Sequence, residues 1–143
     1  MTMTLAIQSA TLHVDHAMIR DYAEMTDDFN PVHLDEAFAA CTPMGGVIAH
    51  GTMSVCLLWQ ALYRSFGAAA FEALELDIRF VKPVRPGETI TAGGRPVDGD
   101  PGKLDVWVRG DDGTDRVVGS ARISADPLAP TRTETEFNDM ESR

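Results

Sequence analysis

The chain has 143 residues, enough for one domain that buries its own core without disulfides or a structural metal. With 44% hydrophobic and 24% charged residues, it has the composition of an ordinary globular domain. Twenty-two acidic residues against twelve basic ones give a net charge of −10, which argues against non-specific binding to nucleic acid or to an anionic membrane surface. Cys41 and Cys56 sit in apolar or alanine-rich surroundings with no metal-ligand spacing, so both are expected to be small core residues in a reducing, cytoplasmic setting. The opening MTMTLAIQSA lacks the basic and apolar regions of a signal peptide. The longest apolar run, Gly46 to Ala73, is broken by His50, Gln60, Arg64 and Glu72, whereas a membrane span needs about 20 nearly uninterrupted apolar residues.

In chain order, residues 5–14 suggest a first edge strand. Asp15 is a candidate N-cap for a helix reaching about Met25, with Ile19, Tyr22 and Ala23 on one face and Arg20, Asp21 and Glu24 on the other. Asn30-Pro31 breaks that pattern, because the residue before a proline is pushed out of the helical region, so Asp28 to His33 is expected to be a loop. A short helix from Asp35 to Ala40 and the loop CTPMGGV follow. A helix then begins near Gly51 and stops at Gly67; it is apolar almost all round, which calls for protein on every side.

The second half supplies the wrapping. Leu74, Leu76, Ile78 and Phe80 alternate with Glu75, Asp77, Arg79 and Val81, a strand with one buried face. Glu88 to Val97, Lys103 to Arg109 and Arg116 to Ser124 read as three more strands, separated by the turn clusters DGDPG and GDDGTD. A central apolar helix followed by antiparallel strands is the plan of an α+β hot-dog fold. The expected layout is one such domain over residues 1–127 and a flexible tail over 128–143, where Pro, Thr, Glu and Asp dominate.

The chemistry concentrates between Asp27 and Thr52. Asp28, Asn30 and His33 fall within six residues, and His50-Gly51 opens the apolar helix. A carboxylate and an imidazole beside one reacting atom can share acid-base work, and a helix N-terminus offers free N–H groups to a developing oxyanion. In a continuous helix a spacing of five would set Asp28 and His33 roughly 140° apart; the intervening proline lets them converge. Gly51 suits an oxyanion position because it lacks a side chain to block approach. Each residue taken alone has a plainer reading: Asp28 as a turn or capping residue, His33 as a surface or core histidine, Asn30-Pro31 as a turn. His50 either lines the site or buttresses it through a ring hydrogen bond. His13 and His16 carry no spacing signal and read as surface residues. Trp59, Tyr63 and Phe66 read as core or dimer packing. Met44 and Val47 are candidates to border an acyl tunnel. Lys82, Arg85 and Arg79 form the densest basic stretch, suited either to phosphates or to guarding a strand edge.

The segment DDFNPVHLDEAFAACTPMGGVIAHG closely resembles the signature of the MaoC-like dehydratases, or (R)-specific enoyl-CoA hydratases: Asp-Phe/x-Asn-Pro-x-His-x-Asp, then Gly-Gly-x-Ile-Ala-His-Gly. LELDIRFVKPVRPGETI resembles the family's strand-turn-strand, and the likeness covers roughly residues 12–125. The resemblance implies a hot-dog domain that dimerises edge to edge, with sites near the dimer interface acting on acyl thioesters of coenzyme A or acyl carrier protein. It further implies that Asp28 and His33 are the catalytic dyad, that Asn30 supports their loop and that the Gly51 N–H is an oxyanion donor. The implied reaction interconverts a trans-2-enoyl-CoA and its (R)-3-hydroxyacyl-CoA, with no metal and no cofactor beyond the thioester. Two other functions fit a hot-dog fold. A thioesterase of this fold usually has an acidic residue on the central helix, and residues 52–66 contain none. A non-catalytic acyl-thioester-binding module has no need of an intact Asp28/His33 pair.

Overall fold

A computed structural model describes residues 7–123, so residues 1–6 and 124–143, which include the expected strand end Ser124 and the expected tail, lie outside the described residues. The elements are β1 (Ala10–His13), α1 (His16–Thr26), α2 (Pro31–Leu34), α3 (Glu36–Ala40), α4 (Gly51–Phe66), a 3-10 turn (Ala68–Ala73), β2 (Leu74–Phe80), β3 (Thr89–Pro96), β4 (Lys103–Gly110) and β5 (Asp115–Ile123).

Local chemistry sets the helix ends. The Asp15 side chain accepts from the Met18 N–H, and Ile19 and Ala23, four apart, are the buried positions of α1. Asp27 ends α1 in the left-handed region, φ 54°, which a short polar side chain tolerates. That residue turns the chain towards Asp28. Asp35 caps α3 through the Phe38 N–H. Gly67, at φ 73°, closes α4 by donating to Tyr63 O.

The five strands form one antiparallel sheet in the order β1-β3-β4-β5-β2. Along β4, Leu104, Val106 and Val108 alternate inward, the period-two pattern of a sheet with one buried face. They meet Met53, Leu57, Leu58, Ala61 and Leu62 of α4, together with Ile90, Ala92, Val117 and Ala121. Leu58 is wholly buried, and a leucine buried so completely contributes roughly 2 kcal/mol. A sheet curled over one long helix is the expected hot-dog arrangement. Among the described residues no helix is long and apolar enough to cross a membrane.

Five expectations are corrected. Asp28 to His33 is not wholly a loop, because Pro31 to Leu34 forms a turn of helix. The sheet covers only one side of α4; Thr52, Cys56, Trp59 and Tyr63, at helical spacing, face outward and are exposed. Trp59 and Tyr63 are therefore not core residues of the protomer. Cys41 and Cys56 are both exposed rather than buried. On β2, Leu74, Leu76 and Ile78 are half-buried, but Phe80 is exposed, because its ring lies in the open cleft beside Gly51.

Candidate active site

The site grows from two Asx turns in series. Asp28 N–H donates to Ala23 O, and Asp28 Oδ1 accepts the Asn30 N–H at 3.2 Å. Asn30 Oδ1 in turn accepts the Val32 N–H at 3.1 Å, with Pro31 at the first helical position. Asn30 thus caps the single turn, α2, that carries His33, which gives its expected supporting role a specific form.

Segments distant in sequence fasten that turn. Ile48 N–H donates to Val32 O, and Ala49 N–H donates to Val84 O. The His33 ring bonds Ile48 O through Nδ1 at 2.7 Å. A carbonyl can only accept, so Nδ1 carries the proton and the neutral ring presents its lone pair at Nε2.

His50 is buried, and its Nε2 donates to Asp28 O at 3.0 Å while lying 4.0 Å from Asp28 Oδ2. Its ring stacks on His33, with centroids 3.9 Å apart, and Tyr22 tilts against its other side at 4.9 Å. His50 is a buttress between the two proposed catalytic side chains. Its Nδ1 has no hydrogen-bond partner among the described residues. Burial pushes the Tyr22 hydroxyl above its ordinary value, and the nearby charge of Asp28 pushes the same way.

Asp28, His33 and His50 bring a carboxylate oxygen and two ring nitrogens within 4.8 Å of one another. Such donors can bind a transition metal. However, the His50 nitrogen facing the Asp28 carboxylate is the one bonded to Asp28 O, so a metal would have to break the contact that holds the cluster together. As built, the arrangement suits proton transfer better than ion binding.

His33 and Gly51 line one cleft of about 270 Å³ with Met44, Phe80, Lys82 and Arg116. His50 provides no side-chain cap to α4, and Met53 N–H is the amide that donates to His50 O. The amides of Gly51 and Thr52 ahead of it have no acceptor among the described residues, so polarised donors stand at the start of α4, with Gly51 at the cleft. The Phe80 ring lies over Gly51, where a Cβ would come within 3.0 Å of it. A second hollow, about 190 Å³, opens on the other side of His33 between His16, Arg20, Phe29 and Leu34.

The remaining expected residues divide. Met44 is exposed at the cleft. Val47 is not: it is 6% exposed and packs in the core, bordering only a shallow groove beside Arg85. The basic stretch does not gather into one patch. Lys82 lines the cleft and pairs with Asp112 at 3.1 Å, whereas the Arg85 guanidinium donates to Met44 O and faces the other groove; Arg79 is exposed on β2. His13 and His16 are surface residues as expected. The sequence did not single out Tyr22, Phe80 or Arg116 for the site. The first two had only a place in an apolar periodicity, and nothing local marked Arg116 as buried.

A family model described as a MaoC like domain matches residues 4–116. The 3-hydroxybutyryl-CoA dehydratase of Methylorubrum extorquens is 38% identical over 69 residues, which cover 48% of this chain and 44% of that protein. The (R)-specific enoyl-CoA hydratase of Aeromonas caviae is 34% identical over 76 residues, covering 53% and 57%. The chain thus spans about half the length of these curated relatives. The unliganded R-hydratase PhaJ1 of Pseudomonas aeruginosa superposes with a TM-score of 0.68 at 26% identity, covering 85% of this chain and 86% of that one. Fold, motif and family model agree: the chain belongs to the MaoC-like domain family.

Proposed function

We propose that this chain is a hydro-lyase that adds water reversibly to a trans-2-enoyl-CoA, or the corresponding carrier-protein thioester, to give the (R)-3-hydroxyacyl thioester. The observation that carries the reading is the His33 ring and the unused Gly51 amide at one cleft, with an Asp28 carboxylate oxygen within 4.8 Å of the His33 and His50 ring nitrogens. The thioester oxygen sits at the Gly51 N–H. His33 Nε2 takes a proton from a water that Asp28 orients through its other O–H. As that proton leaves, the water oxygen bonds C3, the C2–C3 π bond opens and charge moves to the thioester oxygen. The imidazolium then returns the proton to C2, so one water is added and His33 is restored. Proton transfer suffices for every step, so the reaction calls for no metal and no cofactor besides the thioester.

Lys82, at the open side of the cleft, and Arg85 beyond Met44 are the cations we assign to the phosphates of the thioester carrier. Asn30, His50 and Met44 shape the pocket around the reacting carbons. The enzyme works in the cytoplasm, and as a homodimer or a higher oligomer of it; the outward face of α4, where Trp59 and Tyr63 are uncovered, supports the oligomer alone.

Mixing the protein with crotonyl-CoA should bleach the conjugated enone-thioester absorbance and yield the (R) alcohol on chiral analysis. No hydration across short, long, branched and carrier-bound enoyl thioesters by a folded sample rejects the proposal. So does an (S) product.

A further inference from the structure

A thioester held at the Gly51 amide leaves the site in two directions. The sulfur side runs to the part of the cleft with Lys82, which suits a phosphate-bearing arm. On the other side of Gly51 the start of α4 faces Tyr22 of α1. Three polar side chains meet there that the hydration chemistry does not use. Tyr22 OH donates to Thr52 Oγ1 at 2.7 Å and lies 4.0 Å from Cys56 Sγ. Thr52 directly follows Gly51, Cys56 is one turn further along α4, and both are exposed. The Tyr22 ring also contacts His50, which stacks on His33, so the cluster adjoins the dyad.

Its unused capacity is specific. Tyr22 has given its proton to Thr52 but keeps acceptor lone pairs. The Thr52 hydroxyl keeps its own proton and donates to nothing among the described residues. One acceptor and one donor therefore stand side by side. An alkyl chain laid over them would take them from water and return nothing, whereas a hydroxyl or carbonyl oxygen would replace the lost hydrogen bonds. A carboxylate fits less well, because the charge of Asp28 already reaches Tyr22 and the chain carries −10 overall.

We propose that Tyr22 and Thr52 form an acyl-group subsite that selects trans-2-enoyl thioesters bearing a neutral hydrogen-bonding oxygen, a hydroxyl or carbonyl, at C4 or C5. This rests on the hydratase reading and adds the substrate class to it. Cys56, one turn further along α4, borders the subsite.

The test compares kcat/KM for two thioesters of equal heavy-atom count, trans-5-hydroxypent-2-enoyl-CoA and trans-hex-2-enoyl-CoA. The hydroxylated compound should be favoured roughly fivefold or more, the scale of one hydrogen bond gained against a pair left dry. Tyr22→Phe and Thr52→Val should bring that ratio towards one whatever their absolute rates, and Thr52→Ser, which keeps the hydroxyl, should preserve it. The monocarboxylate trans-pent-2-enedioyl-CoA should be turned over more slowly than the hydroxylated compound. An active enzyme that prefers hexenoyl, or a ratio unmoved in both hydroxyl-deleting variants, overturns the subsite alone. No turnover of these thioesters by an enzyme that hydrates others of the wider panel also overturns the subsite alone, and no turnover of any thioester in either set overturns the hydratase reading with it.

Discussion

Two polar clusters face the same cleft, and they are finished to opposite degrees. Arg116 is 1% exposed, and each of its five guanidinium protons has an acceptor: Glu88 Oε1 and Oε2, Asp112 Oδ1, and the carbonyl and hydroxyl of Thr114. Nothing there is left to offer a ligand. Around His33 and Gly51, the two residues of this group that line the cleft, His33 Nε2, His50 Nδ1 and the Gly51 and Thr52 amides have no hydrogen-bond partner among the described residues, and the Asp28 carboxylate is half exposed. Buried polar groups in a folded protein are normally paired, so unspent capacity gathered at one place is a sign of reactants to come. The contrast separates a residue type from its role. A buried arginine in a pocket wall would ordinarily invite a catalytic reading, but saturation marks this one as a fastening between the turn ahead of β3, β5 and the β4–β5 turn.

If that division is right, substitutions in the two clusters should fail in different ways. The largest effect is expected in the unfinished cluster. Asp28→Asn and His33→Gln should each lower kcat by roughly 10²-fold or more, the scale of positioned acid-base catalysis, with little change in melting temperature. Steady-state hydration kinetics beside thermal melts would check it; folded variants with near-wild-type rates would dismantle the dyad assignment. In the saturated cluster the cost should fall on stability. Arg116→Met strands Glu88 and Asp112 without their shared cation, and should lower unfolding free energy by about 2 kcal/mol. That is less than a wholly buried pair would cost, because both carboxylates keep some contact with water. Denaturant titration gives the number, and a variant as stable as the parent would show that saturation here carries no structural weight.

What could be foreseen follows the same line between local and long-range causes. The Asp28/His33 spacing, the Asn30-Pro31 turn and the Gly51 helix start are local patterns: the structure starts α4 at Gly51, turns the chain at Asn30 and gathers Asp28 and His33 within 4.8 Å. Asn30 was harder, since a four-residue helix is too short for periodicity to reveal and its cap looks like any turn residue. Cys56 was misplaced because α4 is apolar nearly all round; hydrophobicity could not say which face the sheet leaves open, and that depends on strands more than fifteen residues later. Met44 and Val47 share one loop yet part ways, one at the cleft and one in the core, for want of any regular period to read. Arg116 was invisible for a plainer reason: its main partner, Glu88, lies 28 residues away, just ahead of β3. The Tyr22–Thr52 contact likewise joins residues 30 apart.

The smallest effect sharpens the comparison through pH. The Thr114 N–H, Arg116, the Thr114 hydroxyl and Lys82 together hold the Asp112 carboxyl well below the usual carboxylate range. In the unfolded chain the same group titrates near its ordinary value, about 3.9. Above that value Asp112 is charged in both states and its folded-state partners stabilise the native protein in full. As pH falls below about 4 the unfolded chain takes up the proton first, and the advantage drains away as pH approaches the depressed folded value. Asp112→Asn should therefore melt a few degrees below wild type at pH 7, and the gap should narrow steadily on acidification below about pH 4. Paired melts from pH 7 to the lowest pH at which both proteins fold would show it. A gap that is constant or widens towards acid would mean that Asp112 draws little from its four donors, and that the saturation of this cluster is geometric rather than energetic.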